Sequence, residues 1–183
     1  MNPDDPYPRF RAFPLTEPPP SLTAGIADVF AQHGAEIDTR ALPKGLQSNQ
    51  VAAVIAQDLL SIGFDVERGK RKGEQIERPV FFGDQGQPTL RYEIDAYHPG
   101  WRCGLEIEAG RAWMGNAVYR DLVQAMVMVE VDFLALAVPI EYKYKRSSRW
   151  TSSSDYANAC AVGDALYGHS RFRLPYQLIL IGY

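Results

Sequence analysis

The sequence predicts an α/β domain in which a mixed central β-sheet is flanked by helices. Three features predict it. Residues 91–111, RYEIDAYHPGWRCGLEIEAGR, alternate in polarity on either side of a Pro-Gly pair, the signature of a β-hairpin. Residues 131–140, VDFLALAVPI, are nearly all apolar and of strand length, as expected of a strand buried on both faces with parallel neighbours. Stretches with apolar residues at helical spacing stand before the hairpin and between it and that strand, so hairpin, helix and strand form a βα crossover.

The chain has 183 residues, 46% hydrophobic and 22% charged, with a net charge of −3. That fits one domain with an ordinary core. It argues against a surface that grips nucleic acid everywhere, while leaving room for a local basic patch. Cys103 and Cys160 form no CxxC pair, so neither a disulfide framework nor a zinc site is expected, and Cys103 reads as core. No run is long enough to span a membrane and no signal peptide is evident, so a cytoplasmic protein is expected.

Residues 1–20 hold seven of the thirteen prolines, which excludes regular helix or central strand. They read as an arm that docks through Tyr7, Phe10 and Phe13, with residues 21–183 as a single domain. A helix is expected over 22–33, stopped by Gly34, then a connection. Ser48 reads as the N-cap of a helix over 49–62. Its stripe is Val51, Val54, Ile55, Leu59 and Ile62, which leaves Gln50, Gln57 and Asp58 on other faces. Residues 64–71 read as a strand ending in the basic cluster Arg68, Lys70, Arg71 and Lys72, followed by a short strand at 79–82 and a turn at 83–86.

In the hairpin, Pro99 and Gly100 suit the central positions of a two-residue turn. That register sets Glu93 opposite Glu106 and Asp95 diagonally beside it, about 7–8 Å away. One face is then apolar (Tyr92, Ile94, Ala96; Cys103, Leu105, Ile107, Ala109). The other gathers Glu93, Asp95, Glu106 and Glu108, with Arg91 and Arg102 offsetting part of their charge. Like charges opposed across a sheet are destabilising, so four carboxylates call for a cation, and hard ions such as Mg²⁺ take carboxylate oxygens. The competing reading is a merely solvated outer face.

A helix follows over 116–129, capped by Asn116, with Val118, Leu122, Ala125, Met126 and Val129 as its stripe and Arg120 and Gln124 off centre. Residues 141–150, EYKYKRSSRW, interleave Lys143, Lys145, Arg146 and Arg149 with Tyr142, Tyr144 and Trp150. They suit phosphates and stacked bases, or else a solvated strand end and loop. A loop at 151–154, a helix over 155–167 and a closing strand at 174–183 complete the chain.

Asp95, ten intervening residues, then Glu106-Ile107-Glu108, set on a hairpin between helices, resemble the PD-(D/E)xK nuclease superfamily. The likeness spans residues 48–140. It implies a restriction-endonuclease-like core with Mg²⁺ or Mn²⁺ at the sheet's edge, held by Asp95, Glu106 and the Ile107 carbonyl. Glu108 stands where the family usually has lysine, although some restriction endonucleases carry glutamate or glutamine there and remain active. Glu108 would then accept the proton of the attacking water, and Arg111 or Arg120 would supply positive charge near the phosphate. Gln57 and Gln124 are the helix residues expected near the site. The resemblance further implies a DNA endonuclease, often a homodimer, gripping the backbone through Arg68, Lys70, Arg71 and Lys72 and through Lys143, Lys145, Arg146 and Arg149. The alternative is an inactive module of that fold that binds nucleic acid or a protein.

Overall fold

A computed structural model describes residues 6–42, 44–69, 71, 73–110 and 116–183. Its centre is a mixed six-stranded sheet flanked by helices. The strands are β1 (Arg9–Phe13), β2 (Asp65–Val66), β5 (Ala96–His98), β6 (Cys103–Ile107), β7 (Phe133–Val138) and β10 (Gln177–Gly182), in the order β1-β10-β7-β6-β5-β2. The β6–β7 and β7–β10 pairs are parallel and the others antiparallel. The expected parallel pairing of the apolar strand is therefore present on both its sides.

Alternation along the strands sorts the core into two layers. Leu134, Leu136, Leu178 and Leu180 face α4 (Ala117–Val127) and α5 (Asp155–Gly168). Ala135, Ala137, Ile179 and Ile181 face α1 (Leu22–Gln32) and α3 (Ser48–Ser61), together with Cys103, Leu105 and Ile107 of β6. Both cysteines are buried and free. Among the described residues no helix is long and apolar enough to cross a membrane.

The proline-rich arm joins the sheet. Its residues 9–13 form the edge strand β1, where prolines on either side are tolerated. The short helix α2 (Gly34–Ile37) occupies part of the expected connection. Ser48 lies inside α3 rather than capping it. Gln50 Oε1 instead accepts from the Gln47 amide at 2.9 Å, and Ser48 Oγ accepts from the Ala109 amide at 3.1 Å. The predicted loop at 151–154 is largely strand, since β8 (Tyr142–Arg146) and β9 (Arg149–Ser153) make a separate hairpin.

The acidic hairpin differs from its prediction in two ways. Its first arm breaks at Asp95. Residues before the break form β4 (Pro88–Ile94), which pairs with β3 (Ile76–Phe82) in a separate two-stranded sheet. Its turn is one residue later, closed by the Arg102 amide on the Pro99 carbonyl with Arg102 at φ 50°. The register shifts by two, with Ala96 opposite Leu105, which brings Asp95 rather than Glu93 level with Glu106. Glu93 accepts instead from Gln75 at 2.6 Å, and Arg102 pairs with Asp132 at 2.7 Å, away from the acidic face. On α4 the stripe runs through Ala117, Val118, Asp121, Leu122 and Ala125, while Met126 is exposed and Val129, also exposed, lies beyond the helix's end at Val127.

Candidate active site

Glu106 and Glu108 follow the β6 residues that face α3, so strand alternation turns them toward the α4 layer. Glu106 is only 8% exposed, paired in register with Leu136 where a core residue would continue the layer. Asp95 sits at the bend between β4 and β5, and its Oδ2 accepts from the Ile107 amide at 2.8 Å. From the opposite side α4 delivers Asp121, 2% exposed. Glu67 follows β2, and its amide donates to the Asp95 carbonyl at 2.8 Å. The result is a cavity of about 370 Å³ at the carboxyl end of β6. Its lining includes the five carboxylates Glu67, Glu93, Asp95, Glu106 and Asp121 and only two guanidinium groups, Arg91 and Arg120.

The electrostatics follow from that imbalance. Burial, then the charges of Asp95, Asp121 and Glu108, push the Glu106 carboxyl well above the usual carboxylate range. Burial, then Asp121, raises Glu108 to about 8, against the pull of Arg120. Burial also raises Asp121. Arg120 bridges the cluster, donating to Glu108 Oε1 at 2.8 Å and to Asp121 Oδ1 at 2.8 Å. Asp121 Oδ2 is buried with no hydrogen-bond partner. Tyr183 Oη donates to the Glu108 carbonyl at 2.8 Å, and the Glu108 amide donates to Ala137, so the end of β6 is held from both sides.

By charge, by oxygen chemistry and by the orphaned Asp121 oxygen, the donor set fits a hard divalent cation. Among the described residues, no three carboxylate, histidine or cysteine side chains stand close enough to hold one as they are.

The structure brings together Asp95, Glu106, Glu108, Arg120 and Gln124, the last lining the same cavity. Ile107 enters through its amide on Asp95. Gln57 is exposed on α3 and lines neither cavity that takes in Asp95, because the face of α3 nearest Asp95 carries Asn49, Ala52, Ala53 and Ala56. Asp58 is held by His33 at 2.6 Å. Of the expected phosphate contacts, Arg68 lines a neighbouring cavity with Glu67 and Asp95, and Arg71, Lys145 and Arg149 are exposed. Lys143 is not available for phosphate, because its Nζ donates to the carbonyls of Arg40 and Leu42 at 2.8 and 3.2 Å. Lys70, Lys72, Arg111 and the Arg146 side chain lie outside the described residues.

Sequence reasoning missed Asp121 and Glu67. Asp121 had a signal, an acid at an apolar-stripe position, i+3 from Val118 and i+4 from Ala117. Glu67 had none, since only the pairing of Val66 with Ala96 brings it beside Asp95. Comparison of the chain with protein-family models, with curated proteins and with solved structures finds no match.

Proposed function

We propose that the chain is a metal-dependent endonuclease that hydrolyses phosphodiester bonds of DNA on a restriction-endonuclease-like core. One observation carries the reading: Asp95, Glu106 and Asp121 line one open cavity at the carboxyl end of β6, and Arg120 bridges Asp121 to Glu108 in the cavity beside it. Such an excess of buried negative charge is costly unless a cation offsets it.

Asp95 and Glu106 would hold Mg²⁺ or Mn²⁺, with Asp121 beside them. When bound, such an ion supplies charge opposite the leaving oxygen and acidifies water. Glu108, raised to about 8, is matched to general-base work near neutral pH. It takes a proton as the water oxygen bonds to phosphorus. The phosphorus–oxygen bond to the leaving strand breaks, and that oxygen is protonated by solvent. Arg120 releases Glu108 and turns its guanidinium to the phosphate, a role its planar fork suits.

The test is nicking of supercoiled plasmid with Mg²⁺ or Mn²⁺, alongside calorimetric titration of the same ions. The wild type should bind metal and nick, and Glu106→Ala should lose at least about 100-fold in rate. A wild type that shows neither heat of binding nor cleavage would remove the enzyme reading. A second reading, a non-cutting nucleic-acid-binding module of the same fold, is favoured by Arg120, which already neutralises part of the cluster. A salt-dependent gel shift without cleavage would select it.

A further inference from the structure

The β8–β9 hairpin stands outside the main sheet, and between residues 142 and 153 it carries four basic residues and no acid. Its base is fixed, because Lys143 is anchored to the segment at Arg40 and Leu42. Pairing of Tyr144 with Thr151 and of Lys145 with Trp150 defines two faces. One carries Tyr142 and Tyr144, whose rings stack 6.1 Å apart. The other carries Lys145 over the Trp150 ring at 5.1 Å, with Trp150 56% exposed.

Tyr142 connects this hairpin to the acidic site. It lines a cavity of about 620 Å³ that also takes in Glu108, Arg120 and Ser48. Its ring fills the space beside Gly110, where a Cβ would collide with the Tyr142 ring and hydroxyl. The face that carries Tyr142 and Tyr144, with Arg149 at its tip, is therefore continuous with the cavity that holds Glu108, and the opposite face presents Lys145 and Trp150. We propose that the β8–β9 hairpin is a guide for single-stranded nucleic acid, which stacks a base on Trp150, meets phosphates at Lys145 and, around the tip of the hairpin, at Arg149, and passes along the Tyr142 face toward Glu108. This rests on the nuclease reading for its destination, though not for the binding itself.

The aromatic faces favour a single strand over a duplex. Stacking on aromatic faces replaces charge in single-strand binding and tolerates any base, whereas bases in a duplex keep their faces paired within the stack. The recessed position of Glu106 also requires a backbone that bends inward, as a single strand does.

Fluorescence anisotropy on the full chain tests this in EDTA, where cleavage cannot interfere. The probes are a fluorescein-labelled oligothymidylate of about 15 nucleotides and a duplex of equal length. The expected result is at least tenfold tighter binding of the single strand. Its salt slope should be shallow, about −1.5 to −2 for two to three phosphates. Trp150→Ala should weaken it about tenfold, and K145E with R149E should abolish it, circular dichroism confirming that each variant is folded. Equal or tighter duplex binding, no binding, or binding indifferent to these variants would overturn the proposal. Single-strand binding that depends on the hairpin, without any metal-dependent cleavage, would leave the guide standing and remove the nuclease. Cleavage unaffected by the hairpin variants would do the reverse.

Discussion

Glu108 shows how one carboxyl group can report on the whole site. Its side chain is 13% exposed and touches Arg120, yet burial and Asp121 outweigh that guanidinium and lift it from 4.5 to about 8. In the unfolded chain it ionises near its ordinary value; in the folded protein it keeps its proton until about pH 8. Between those values the folded state binds more protons, so stability is greatest at low pH and falls as pH rises. Glu108→Gln removes this titration while keeping the side chain's shape. Thermal melts of both proteins should diverge from pH 5 to pH 8, the variant gaining about 2–4 °C at the upper end for about 1 kcal/mol. Parallel curves would show that the carboxyl is not perturbed. The same substitution should abolish nicking, because an amide accepts no proton from water.

At the scale of the element, α4 is amphipathic in an inverted sense at one position. Asp121 lies on the buried stripe beside Val118 and Leu122, and Val123 and Met126 face out. An acid buried in an apolar stripe costs stability. Asp121→Asn keeps its volume, removes one charge and offers an N–H to the neighbouring carboxylate. We expect Tm to rise by about 2–4 °C at pH 8 and Glu108 to titrate lower, shifting the pH profile of nicking to the acid side. A variant less stable than wild type, with an unmoved profile, would mean that Asp121 serves structure alone. The helices α1, α3 and α4 were legible from their apolar period, and the strands β7 and β10 from unbroken apolar runs of strand length. The break at Asp95 was not, since Tyr92, Ile94 and Ala96 alternate straight through it and a one-residue bend leaves no trace in a period of two. The β8–β9 turn was not legible either. Ser147 and Ser148 adopt φ 46° and 70°, the geometry for which Asn-Gly is the usual signal. Asp95, Glu106 and Glu108 could be named because they share one hairpin, and Asp121, next to Arg120, was marked by its place in an apolar stripe, whereas Glu67 reaches them only through the fold.

Over the whole molecule, the edge strand β1 and the carboxylate site sit on opposite flanks of β10. Phe13 of β1 is 1% exposed, stacks on Tyr167 at 5.4 Å and fills the space left open by Gly163, where a Cβ would come within 2.6 Å of its ring. Beyond β1, β10 runs on to Tyr183, whose hydroxyl holds the Glu108 carbonyl. Without β1, the apolar strand β10 becomes a bare edge, a template for aggregation. Phe13→Ala should cost about 3–5 kcal/mol and lower Tm by about 10 °C. Removal of residues 1–13 should give a protein that aggregates on heating and binds metal poorly. Tyr183→Phe deletes only the far hydrogen bond and should cost about 1 kcal/mol. If the site depends on β10 being held straight by β1, metal affinity will fall with the truncation and with Tyr183→Phe. If each flank stands alone, the truncated protein will melt early yet bind metal as the wild type does, and calorimetry below its melting range distinguishes the two.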